Sequence, residues 1–177
     1  MVLVLSTLLP VGAVEADQND ARLDGLFLIM QETEQLDVVT AAESQIWQIW
    51  LQHDNIQTQT RLAEGVAAID RDPYKALLIF NALIDDAPDF AEIWNKRATL
   101  FYLFGEYDAS ARDIARTLEL EPRHFGALSG LGLVYLAQDQ LVKARSAFEA
   151  VLLVHPHSSG VRRNIEMIDR HMQRRAI

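Results

Sequence analysis

Apolar and small residues along this chain recur on two scales. Locally they fall three and four residues apart, as in Leu128, Leu131, Gly132 and Tyr135, which is the spacing of one helix face. The whole set then returns after 34 residues. The clearest copy continues with Ala144, Phe148 and Pro156. One period earlier stand Trp94, Arg97-Ala98, Phe101, Ser110, Ile114 and Pro122, and one before that Ala63-Glu64, Ala67, Ala76, Phe80, Leu83 and Pro88. A weaker copy, Leu26, Ala42, Ile46 and Ile49, ends on Asp54 where the others carry proline. Self-similarity at this period predicts helix-turn-helix units that cover one another's apolar faces. No stretch alternates with period two for long enough to predict a strand.

Unit boundaries have local causes. Asp72-Pro73 reads as an N-cap followed by proline at the first helical position, where a missing N–H breaks no intrahelical bond. Gly105 and Asp139-Gln140 mark the turns inside the next two units. Each closing proline stops a second helix, because it cannot continue the hydrogen-bonded turn. Small residues such as Ala98, Ser110, Gly132 and Ala144 are expected where helices approach closely, with Trp94, Tyr135, Phe80 and Phe148 filling the gaps. Arg97 stands where the pattern calls for leucine, so a buried guanidinium needs a carboxylate, and Asp113 on the following helix is the expected partner.

The sequence of marks from Leu128 to Pro156 resembles the tetratricopeptide repeat (TPR) pattern at nearly every position. The implied fold is an all-α TPR-type helix-turn-helix solenoid. Three firm units are expected at 57–90, 91–124 and 125–156, within a span 57–156. A degenerate helical pair over 17–56 is expected at the N-terminal end, since terminal units of an array are atypical. Residues 94–99 and 122–128 also resemble stretches of small exported bacterial TPR proteins.

Charge changes the picture at one end. Residues 157–177 carry five arginines against Glu166 and Asp169, giving +3 where the whole chain is −9 and the remainder therefore −12. Val161, Ile165, Ile168 and Met172 form an apolar stripe there, as expected of a basic helix capping the last unit. At the other end, residues 1–16 are almost wholly apolar and finish on Val14-Glu15-Ala16. They read as a secretory signal cleaved near Ala16, and so as a periplasmic or otherwise exported protein, although no basic residue precedes the run. A helix buried in the fold, and with it a cytoplasmic location, is the competing reading. The run is too short to predict a membrane span.

Chemistry is sparse. The chain has no cysteine, no glycine-rich phosphate loop and no serine-nucleophile elbow. His155 and His157 flank a unit-closing proline with no third ligand at a helical spacing, so neither metal nor cofactor is expected, and no catalytic residue is assigned. His53 is expected to cap the end of the Trp47/Trp50 helix.

What the TPR resemblance implies is a non-catalytic scaffold that holds a peptide or helix in a concave groove lined by the first helix of each unit. The groove positions are Thr58, Arg61, Gly65, Ala68 and Ile69 in the first unit. Glu92, Asn95, Thr99, Tyr102 and Leu103 follow in the second, then Gly126, Ser129, Leu133, Leu136 and Ala137 in the third. Arg61, Glu92, Asn95, Thr99, Tyr102, Arg123, His124, Ser129 and Leu133 are the candidate partner-binding residues, although a solvated turn is an equal reading for Arg123 and His124. The carboxylate clamp of some relatives is not reproduced, since only Asn95 and Arg61 would suit it. A protein or peptide partner is expected, and no nucleic acid. The alternative is an adaptor docking its basic C-terminal helix on an anionic membrane or envelope polymer. Nothing in the pattern sets an oligomeric state.

Overall fold

The computed structural model describes residues 17–175; the segment 1–16, expected to be a secretory signal, lies outside the described residues. Among the described residues the secondary structure is helical, without strands. The order is α1 (Arg22–Glu32), α2 (Leu36–Trp50), α3 (Ile56–Ala68), α4 (Pro73–Asp86), α5 (Ala91–Leu103), α6 (Tyr107–Leu120), α7 (Phe125–Ala137), α8 (Leu141–Val154) and α9 (Ser159–Arg175). The pairs α3/α4, α5/α6 and α7/α8 stack in order and α9 packs on α8.

The periodic residues form the turns and contacts that make the units alike. Asp72 Oδ1 accepts the Lys75 N–H at 3.0 Å, with Pro73 opening α4. Gly105 (φ 78°) and Asp139 (φ 56°), one period apart, adopt the left-handed conformation that reverses the chain. In both turns the following N–H closes on a carbonyl five residues back, Glu106 on Phe101 and Gln140 on Tyr135, each at 2.8 Å. Ser110 Oγ donates to the Ala98 carbonyl at 2.8 Å, and a Cβ on Gly132 would stand 2.6 Å from Phe148 Cε1. Arg97 does pair with Asp113, through Nε and Nη2 at 2.7 and 2.8 Å, while its Nη1 reaches Asn81.

The first unit departs from this register. Glu64, at the small position, is exposed, and its neighbour Gly65 meets Phe80 instead, where a Cβ would be 2.6 Å from Cε1. A one-residue offset turns a helix by about 100°. Gly65 and Ala68, expected along the groove, are consequently buried, and Thr58 is buried as well.

A larger departure concerns α1 and α2. They form the expected helical pair, burying Leu23, Phe27 and Met30 against Val39, Ile46 and Trp50. The pair does not stack ahead of α3 as a preceding unit; it lies across the turns that open α5, α7 and α9. Gln18 accepts the Ala91 N–H and donates to the Asp89 carbonyl, Asp24 pairs with Arg123, Phe27 packs edge-on to Phe125, and Gln31 donates to the Leu153 carbonyl. His53 caps no carbonyl of α2. Its Nδ1 accepts the Asn55 N–H, and its ring rests on Phe90. At the other end, Val161 and Ile168 of α9 are buried, with Ile165 and Met172 packed beside them.

Candidate partner-binding groove

The inner faces of α5 and α7 meet across a cleft of about 80 Å³. Asn95, Thr99 and Tyr102 line one wall, Gly126, Gly130 and Leu133 the other, and Ala98, Ser110 and Ile114 the floor. Helical spacing puts these residues on one face: 95, 99 and 102 are separated by four and three positions, as are 126, 130 and 133. Thr99 and Leu133 are exposed and Tyr102 is half-buried against Tyr107, with ring centroids 5.7 Å apart. Ser129 is half-buried on α7. These four expected residues offer accessible surface.

The other five are engaged within the fold, which corrects the expectation that they would face a partner freely. Arg61 pairs with Asp86 at the end of α4. Arg123 grips Glu121 through Nε and Nη2, reaches Asp24 through Nη1, and lies over the Phe27 ring at 4.5 Å. The Glu121 hydrogen bonds are the main reason its guanidinium is held above the ordinary arginine range. It therefore ties α1 to the turn before α7.

Glu92 and His124 are wholly buried. His124 Nδ1 accepts the Ala127 N–H at 3.1 Å and caps α7, so the ring proton sits on Nε2 and is donated to Glu92 Oε2 at 2.9 Å. Asn95, only 7% exposed, donates its amide to the same oxygen at 2.9 Å. Lys96 Nζ stands 2.7 Å from Glu92 Oε1, an ion-pair distance, although that oxygen has no aligned hydrogen bond. Burial pushes the Glu92 carboxyl up, but His124 and Lys96 together hold it below the ordinary carboxylate value. Over this network lie the two tryptophans of α2: Trp50 stacks on His124, and Trp47 meets the His124 ring edge-on and the Lys96 ammonium at 5.3 Å. Gly126 leaves room for Trp47, since a Cβ there would be 2.5 Å from its ring. The sequence signal for this contact was the Trp47/Trp50 pair, bulky side chains three apart on one helix, opposite a glycine at the start of α7.

No family model matches the chain. It is 32% identical over 153 residues to a TPR repeat-containing protein of Rhizobium etli, a match that spans 83% of this chain and 72% of that one. With the 34-residue register and the stacked helix pairs, this makes the chain a member of the TPR repeat proteins. Among solved structures it resembles the Sgt2 TPR domain of Aspergillus fumigatus (TM-score 0.62, 23% identity, 67% of this chain and 81% of that one). It also resembles the first TPR of Spaghetti (RPAP3) bound to the HSP90 peptide SRMEEVD (TM-score 0.63, 17% identity, 68% and 96%). At these identities the two structures bear on the fold alone.

Proposed function

We propose that this chain is a non-catalytic protein–protein interaction module that holds a peptide or helix on its concave face. The observation that carries the reading is the cleft between α5 and α7, which stays open although α1 and α2 cover the turns at its edge. Around it, Tyr102 offers the kind of aromatic surface in which interface energy concentrates, with Thr99 and Leu133 as complementary contacts beside it. The Spaghetti (RPAP3) domain, of the same fold, holds an HSP90 peptide, which supports a peptide as occupant. Residues 1–16 supply the further proposal that the protein works outside the cytoplasm, in the bacterial cell envelope. A photo-crosslinking residue placed at Thr99 or Leu133 in the full chain, irradiated in envelope extracts, is expected to capture a discrete protein. The same group at exposed Glu119 on α6 is the control, and equal labelling from both faces would end this reading.

A further inference from the structure

The basic helix α9 is a wall of the same groove. Carrying the 34-residue register one step beyond α7 puts Gly160, Arg163, Met167, Arg170 and His171 where α7 has Gly126, Ser129, Leu133, Leu136 and Ala137. The packing follows that register, since Val161 and Ile168 are buried in α9 as Ala127 and Val134 are in α7. A cleft of about 210 Å³ joins the two helices, with Leu136 on one side and Met167 and His171 on the other. Met167 is 46% exposed at this cleft, and Leu141 and Ile168 complete its apolar lining.

Its charge is equally one-sided. Arg163, Arg170 and Arg174 are exposed, and among the described residues no carboxylate lies within ion-pair distance of Arg163 or Arg174. Arg170 has only Glu166, at 3.9 Å. Of the other acids nearby, Asp169 pairs with Arg145 on α8, and Asp139, which lines the cleft, is neutralised by Arg175 of α9.

We propose that the α7–α9 half of the groove receives an acidic segment of a partner protein that carries an apolar anchor residue. The anchor enters the cleft between Leu136 and Met167, and flanking carboxylates meet Arg163, Arg170 and Arg174. This rests on the interaction-module reading and names the chemistry of its partner. Charge complementarity selects the occupant, because a cationic wall beside an apolar slot suits alternating acidic and apolar side chains. An anionic lipid surface is disfavoured, because the arginines flank an apolar slot between two helices that admits a side chain, whereas a membrane presents a flat sheet.

The test is fluorescence anisotropy on the full chain with a labelled short peptide of glutamates and aspartates around one leucine and one phenylalanine. The acidic peptide should bind, more weakly as salt rises, and a counterpart with lysine at every acidic position should not. Arg163→Glu with Arg170→Glu, and separately Met167→Asp, should each weaken binding by about tenfold or more while leaving the thermal midpoint in place, since all three residues are exposed. The inference is overturned if the acidic probe does not bind, if both probes bind alike, or if the charge reversals leave affinity unchanged. It is equally overturned if the protein binds phosphatidylserine vesicles and not the peptide. Should any of these occur while crosslinking from Thr99 still captures a protein, the groove reading stands without this inference; loss of that capture as well removes both.

Discussion

Trp50 lies flat on His124, with ring centroids 4.0 Å apart and planes within 10°, and so joins α2 to the N-terminus of α7 across 74 residues of chain. Trp50 is 1% exposed and His124 is fully buried. The contact holds the α1–α2 pair over the buried Glu92 carboxylate.

Trp50→Ala is therefore expected to cost about 3–5 kcal/mol, the range for emptying a large aromatic site in a core. Urea denaturation would measure it. A midpoint shift no larger than that of a surface substitution would mean that α1 and α2 contribute little to the stability of the array.

Two glycines should respond with opposite signs. A Cβ at Gly132 meets the Phe148 ring at 2.6 to 2.8 Å, so Gly132→Leu should force α7 and α8 apart at about 1–3 kcal/mol. Gly25, the fourth residue of α1, faces open space, with nothing within 4 Å of where a methyl group would stand, and Gly25→Ala should stabilise by up to about 1 kcal/mol through helix propensity. Equal effects on the denaturation midpoint would contradict this packing account.

Arg97 and Asp113 form a double-mutant cycle. Asp113 is 5% exposed, so Arg97→Leu strands a buried carboxylate and should cost about 3–5 kcal/mol. Replacing both residues by leucine should recover much of that loss, and strict additivity of the two single changes would show that the pair is not coupled.

The left-handed turn residues allow a comparison one period apart. Gly105→Ala should destabilise by about 1 kcal/mol, because a Cβ is strained at φ 78°. Asp139→Gly should be neutral or stabilising by up to about 1 kcal/mol, since it relieves the same strain and gives up only the exposed pair with Arg175. Thermal midpoints of the two variants would decide it.

Acid should weaken the fold in two steps. Burial lowers the His155 imidazole below its ordinary value of 6.5, against the pull of Glu43 at 3.4 Å, with His157 adding to the lowering. The unfolded chain thus takes up this proton first, and stability falls as pH drops from 6.5 toward the folded value. Glu92, lowered from 4.5, adds stability that is present above 4.5 and lost as pH falls through its folded value. His155→Gln should flatten the upper step and leave the lower, in thermal midpoints recorded across both windows.

Much of this architecture was legible in the sequence because repeat contacts are local and periodic. Gly132 with Phe148, Arg97 with Asp113, and the turns at Gly105 and Asp139 each join residues within one unit, at separations that the register states outright. Thr99, Tyr102, Ser129 and Leu133 reach the accessible inner face for the same reason. The first unit broke the pattern by a single residue, and only the packing of Gly65 on Phe80 shows how far α3 has turned. The burial of Glu92 and His124 was not legible in the repeat register. It depends on α1 and α2 folding across the turns of later units, a contact that occurs once and repeats nowhere, so no period announces it. The sequence by itself determined the helices, their pairing and their order, since these follow from spacing and turn chemistry. Where the unrepeated pair docks, and which polar groups it takes out of water, was decided by the complementary shapes of Trp47, Trp50, His124 and Gly126, which meet only in three dimensions.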